Sequence, residues 1–188
     1  LEFRRVLFRS AYTSELLFED CRIPANKMLG QEGQGYGPMQ QRLSVRRLQL
    51  GARSLGISHR AINMMIDHVT QRKTFGTLLA DRQAIQWWIA DGTTKMHALR
   101  LMLVDAASRV KNGERLRSEL SMIKVYATEM ATAIVDQAMQ SFGGMGMTKE
   151  IPLQAMANRL RTWRILEGPS EVHRQLIARN RIRAGVIP

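Results

Sequence analysis

The stretch Leu160–Arg174, LRTWRILEGPSEVHR, decides how this chain is read. Leu160, Trp163 and Leu166 recur at helical spacing among Arg159, Arg161 and Arg164, as the apolar stripe of an amphipathic helix does. Gly168 permits a turn, and Pro169, which lacks an N–H, suits the first position of a second helix. The spacing predicts one helix ending and another beginning, with Glu167 in the joint. A carboxylate facing a helix N-terminus among cations is either a positioned general base or a solvated turn residue. Spacing alone favours the solvated turn.

Upstream of this stretch the same periodicity recurs in longer segments. From Met39 to about Arg72, Leu43, Leu50, Leu55, Ile62, Ile66 and Val69 form much of one face. KTFGTLLAD, residues 73–81, interrupts it with Gly76. A second helix is predicted from about Arg82 to Lys111, through Ile85, Ile89, Met96, Leu99, Leu103, Ala106 and Val110. Asn112 and Gly113 stop it. A third runs from Arg117 to Phe142 and ends in Gly143 and Gly144, and two shorter helices flank Glu167. Long amphipathic helices with short joints define the fold class as all-α, an antiparallel helical bundle. Ahead of it, SELLFEDCRIP (14–24) reads as a strand, the tail of a sheet whose other strands lie upstream. Residues 26–38 carry four glycines at the wrong spacing for a dinucleotide fingerprint and read as a loop. Residues 1–10, LEFRRVLFRS, share no turn or helix pattern with residues 11 onward and read as a non-native scar of cloning or assembly. The expected organisation is therefore scar to residue 10, the end of a β domain with its linker over 11–34, and the helical domain over 35–188.

Composition narrows the function classes. At 188 residues and 45 % apolar content the chain can bury a core, which excludes wholesale disorder. Twelve methionines with few aromatics suit helices packed through flexible side chains. A single cysteine, Cys21, excludes an internal disulfide and fits a reducing compartment, so the expected location is cytoplasmic. No apolar run approaches the roughly 20 residues a membrane span needs. The formal charge of +12, two units of which come from the first ten residues, points to an anionic partner. That charge is spread along helices without a dense run, which argues against nucleic acid.

No zinc spacing joins His59, His68, His97 and His173, which read as surface or helix-face residues, and no metal site is expected. No nucleophile elbow or Walker loop is present. Three helix junctions remain, Arg72–Gln83, Gln140–Gly146 and Glu167–Glu171, each combining glycine with polar side chains. Gly143 and Gly144 would let backbone approach a flat or phosphorylated ligand, and Arg72 can grip a pyrophosphate with two parallel donors. Ordinary helix capping explains the same residues, and the residues alone leave the two readings open.

Taken in order, ELLFEDCRIP, GQEGQGY, QRKTFG with Gln83, QSFGGMGMTKEIP and LEGPSEVHRQLIAR resemble the C-terminal part of the acyl-CoA dehydrogenase family, from the end of the middle β domain onward. The resemblance covers about Ser14–Ile182. The wording GPSEVH with Trp87 and Trp88 is similar to the branch that includes the tenth and eleventh human members. The resemblance implies an FAD enzyme that desaturates an acyl-CoA between the α and β carbons to the trans-2-enoyl-CoA. Glu167 falls on the catalytic base that takes the α proton, while flavin N5 takes the β hydride. Such a base must be unsolvated and aimed, and the bound acyl chain would desolvate it. The thioester carbonyl is polarised in the family by the base residue's own N–H and a flavin ribose hydroxyl.

Residue by residue, the resemblance places Arg72, Thr74 and Phe75 on flavin contacts that reach a neighbouring subunit. Arg82 with Gln83 falls on a further flavin-binding pair. Gln140, Gly143 and Gly144 fall on the adenosine-side segment, also across the dimer. Ser170 and Glu171 match flavin contacts after the base, Arg47 an arginine at the acyl-CoA site, and Gly168 and Arg179 further substrate contacts. It implies a homo-oligomer, dimer or tetramer, sharing FAD between subunits, and an electron-transfer flavoprotein or similar acceptor. Pro169 replaces the threonine usual there, losing a hydroxyl and an N–H toward the flavin, and Ser44 replaces an acidic residue common before Arg47. The upstream helical domain and most of the β domain are absent from the resemblance, so this fragment alone is expected to be inactive. The alternatives are a non-catalytic helical scaffold derived from the same family, and a basic nucleic-acid-binding bundle.

Overall fold

The computed structural model describes residues 16–112 and 114–185. Five α-helices carry the fold among these residues: α1 (Tyr36–Val69), α2 (Gln83–Lys111), α3 (Arg117–Phe142), α4 (Leu153–Trp163) and α5 (Ser170–Ala184). Their bounds fall close to those the periodicity predicts, because each has an apolar stripe to bury. The all-α helical bundle expected from sequence is the observed architecture.

The core is organised around α3. It packs against each of the other four helices and buries residues on nearly every side, from Leu120 and Ile123 through Ala127, Ala131, Ile134 and Ala138. Small residues on that helix let neighbours approach. Facing them, α1 contributes Ala61, Ile62, Met65 and Val69 with the buried serines Ser54 and Ser58. Leu99 and Ala106 of α2 and Leu153 and Leu160 of α4 close the same cluster.

Three local expectations change. The strand expected over 14–24 is not formed in its described part, 16–24, where the side chains are exposed. A strand exists by pairing, and no segment among the described residues pairs with it. The interruption after α1 is more than a break: β1 (Lys73–Thr74) pairs antiparallel with β2 (Thr77–Leu78) across a turn in which both Phe75 and Gly76 have left-handed φ, 53° and 77°. Finally, α4 stops at Trp163, leaving Leu166 in the turn and 40 % exposed, and Pro169 caps α5 from outside, so the helix begins at Ser170. No helix among the described residues is long and apolar enough to cross a membrane.

Candidate active site

The joint between α4 and α5 is a tight turn with two successive left-handed residues, Glu167 at φ 57° and Gly168 at φ 99°. For a residue with a Cβ this conformation is strained by about 1–2 kcal/mol and persists only where surroundings over-determine it. At Gly168 no side chain fits, because a Cβ would stand 2.8 Å from His173 Nε2.

The surroundings that hold the turn are donors from three helices aimed at its carbonyls. Lys124 of α3 donates to the Arg164 carbonyl at 3.0 Å and to the Gly168 carbonyl at 2.6 Å. Arg47 of α1 donates through Nε to the Glu167 carbonyl at 3.3 Å. His173 of α5 places Nε2 3.1 Å from the same carbonyl. A carbonyl only accepts, so Nε2 carries the proton and Nδ1 faces the Ser121 hydroxyl at 2.9 Å. The turn also closes on itself through Ser170 N–H to the Arg164 carbonyl, 3.2 Å. The Glu167 side chain is mostly covered, 19 % exposed, with Oε1 3.5 Å from Arg46 Nε.

Burial shapes the charges around this turn. Lys124 is fully buried, and desolvation lowers its ammonium to about 8; Glu171 and Glu129 oppose that shift, while Arg47 and Arg164 add to it. Desolvation also holds His173 below the ordinary imidazole value, against the hydrogen bond to Glu167 and with the cations Arg47 and Lys124 adding to the fall. Arg47 is lowered by desolvation and by Arg117, with Glu167 opposing. Behind the turn, Glu129 is held down first by hydrogen bonding from Arg174, whose two guanidinium nitrogens meet its two oxygens, and Arg164 adds a nitrogen at 3.8 Å. A groove of about 930 Å³ runs along the start of α1 and of α3, lined by Tyr36, Pro38, Ser44, Leu48, Val110 and Leu116 among others. Arg47 lines it too, so groove and turn meet at one side chain.

The residues singled out from sequence fall into two groups. Glu167, Gly168, Ser170, Glu171 and Arg47 lie at the turn. Arg72 lies at the other end of α1, lining a notch of about 450 Å³ with His68 and Phe142, whose rings stack at 4.1 Å. That stack ties the end of α1 to the end of α3, beside the exposed Gln140, Gly143 and Gly144. The hairpin presents Phe75 at 99 % exposure, and Arg82, just ahead of Gln83 at the start of α2, is spent on the Thr74 carbonyl at 2.9 Å. Arg179 is exposed on α5, about 13 Å along the axis from Ser170. Sequence reasoning missed Lys124, Arg46 and Ser121; His173, read as a surface or helix-face residue, lies on the buried face of α5. Nothing in a one-dimensional pattern marks which lysine of a helix will be buried.

Residues 33–182 match the family model described as the acyl-CoA dehydrogenase C-terminal domain. The (R)-benzylsuccinyl-CoA dehydrogenase of Thauera aromatica is 40 % identical over 92 % of this chain and 43 % of its own length. The NADH-dependent acryloyl-CoA reductase of Anaerotignum propionicum is 40 % identical over 89 % of this chain and 42 % of its own. Among solved structures, butyryl-CoA dehydrogenase of Megasphaera elsdenii superposes with a TM-score of 0.85 at 30 % identity, over 90 % of this chain and 44 % of that one. The chain spans less than half the length of these relatives.

Proposed function

The chain belongs to the acyl-CoA dehydrogenase family, and from that premise we propose that it is the helical part of an FAD-dependent enzyme oxidising an acyl-CoA to the trans-2-enoyl-CoA, with Glu167 as the base. The observation that supports this most is the strained turn: a glutamate in a left-handed conformation, its carbonyl held by Arg47 and His173 and its carboxylate beside Arg46. Strain held by so many donors marks a position where geometry matters more than stability.

The residues present fit the cofactor's chemistry. Arg72 is an exposed guanidinium beside an open notch, suited to a pyrophosphate, and Gln140 offers an amide next to glycine backbone that a ligand can approach. Thr74, Phe75, Arg82 and Gln83 of the hairpin junction and Ser170 and Glu171 at the start of α5 complete the set. A phenyl ring 99 % exposed at a hairpin tip supports a second subunit covering it, hence a homo-oligomer with FAD shared between copies. Bound FAD supplies the acceptor for the β hydride.

The chain's own residues do the rest. Glu167 takes the α proton, and the acyl chain lying in the groove beside Arg47 excludes water from the carboxylate, which makes it a stronger base. The N–H of Glu167 is free to polarise the thioester oxygen because the turn spends its carbonyls, not its amides, on α1, α3 and α5. Arg47, Gly168 and Arg179 face the substrate, and an electron-transfer flavoprotein or similar carrier takes the electrons onward. Alone, a chain of less than half the family's length does not turn over.

A second reading concerns direction. Because the acryloyl-CoA reductase is among the relatives at 40 % identity, the same turn can return a proton to the α carbon, with Glu167 protonated at the start. The test uses a protein carrying this chain with the upstream domains of its relatives, incubated with saturated acyl-CoAs and an artificial electron acceptor. Loss of two hydrogens from one of them, seen by mass spectrometry, supports dehydrogenation. Conversion only of an enoyl-CoA in the presence of reductant favours the reductase. A protein that holds no flavin and changes neither would leave a helical scaffold.

A further inference from the structure

We propose that Lys124 is the positioning residue of this site: a buried ammonium that staples the two ends of the turn carrying Glu167. The proposal rests on the reading of Glu167 as the base. Lys124 joins the carbonyls of Arg164 and Gly168, 3.0 and 2.6 Å away, and those two residues bracket the turn with Glu167 inside it. No other described lysine or arginine is buried. It sits on α3, the helix packed against all the others, so the turn is referenced to the centre of the bundle. The charged groups facing it come from every element around the turn: Arg47 on α1, Glu129 on α3, Arg164 at the end of α4, and Glu171 and His173 on α5.

An apolar residue would fill this place in α3 at less cost, since burying an ammonium is unfavourable unless its bonds are worth the desolvation. The two bonds it makes hold nothing but this turn. Arg47 and His173 fix the Glu167 carbonyl between them, but neither reaches Arg164 or Gly168 in the described contacts. Without Lys124 the Gly168 carbonyl has no donor among those contacts, and Glu167 and Gly168 are released from their left-handed pair. A displacement of about 1 Å at a catalytic group costs about 100-fold in rate.

The test compares the parent with Lys124→Met and Lys124→Gln, in the protein carrying the upstream domains. Hydrogen exchange is read over residues 164–170, and flavin bleaching is followed on mixing with acyl-CoA. In Lys124→Met, exchange in the turn rises at least about tenfold while α1 and α3 are unchanged, and flavin stays bound. The bleaching rate falls about 100-fold at saturation with the half-saturating acyl-CoA concentration within about threefold of the parent. Lys124→Gln, which keeps a neutral NH2 donor on a shorter side chain, falls between. Unchanged exchange in the turn overturns the proposal, and so does failure of both variants to fold, which would assign Lys124 to the core. A loosened turn with parental bleaching overturns it as well. A parent that never bleaches refutes the base reading instead, and exchange in the turn still decides whether Lys124 holds it.

Discussion

Replacing Lys124 by methionine changes how stability depends on pH, and the size of the change comes from burial. The folded ammonium titrates at about 8 against 10.5 for an exposed lysine. The unfolded chain therefore binds more protons than the folded one between those values, and stability rises as pH rises through that window. At neutral pH the charge costs the fold about 3 kcal/mol, the difference of about 2.5 pH units at about 1.36 kcal/mol each. Between pH 7 and pH 9 about 1.4 kcal/mol of that cost is relieved as the folded lysine loses its proton. The assay is urea unfolding of parent and Lys124→Met across that range. The variant has no group to titrate at this position, so the difference between the two curves should grow with pH in favour of the parent by about 1.4 kcal/mol. Its height at any one pH is set by the carbonyls left unpaired and the packing of the methionine, so the slope is the discriminating quantity. A difference constant from pH 7 to pH 9 would mean that Lys124 titrates as an exposed lysine does, and that its burial carries no cost.

Gly51 of α1 lies where α3 and α2 press close, and a Cβ there would meet Ile123 Cγ2 at 2.6 Å and Leu103 Cδ2 at 2.9 Å. Gly51→Ala should lose about 1–3 kcal/mol in urea unfolding despite its better helix propensity, and a stabilised variant would show that the bundle can open there. His173 titrates below the ordinary imidazole value, so the unfolded state binds more protons and stability falls as pH falls through that ordinary value. His173→Gln keeps a donor for the Glu167 carbonyl, and its stability should vary less between pH 7 and pH 5; an acid slope equal to the parent's would place the proton elsewhere.

The helices were legible because each stripe, such as Ile85, Met96, Leu99 and Ala106 of α2, repeats the period that buries it. The turn at Glu167 was legible from Gly168 and Pro169 alone, although the helix before it closes at Trp163, sooner than Leu166 led the spacing to imply. What holds the turn was not legible. Lys124, Arg47 and His173 lie far apart in sequence and converge only through packing, and Lys124 stands among the buried positions of α3 between Ile123 and Val125. The strand expected over 14–24 is not formed in its described part, 16–24, for a related reason, since its composition is that of a strand but pairing is a property of two segments. The hairpin at Lys73–Leu78 escaped because its strands are two residues each, too short for any alternation to show.

Whether Glu167 takes the α proton is decided by comparing the parent with Glu167→Gln in the protein carrying the upstream domains. Both should show the spectrum of bound flavin. On mixing with the acyl-CoA that bleaches the parent, the variant should bleach about 10²–10⁴-fold more slowly. Bleaching at the parental rate, with flavin bound, would contradict this assignment and move the base to another residue.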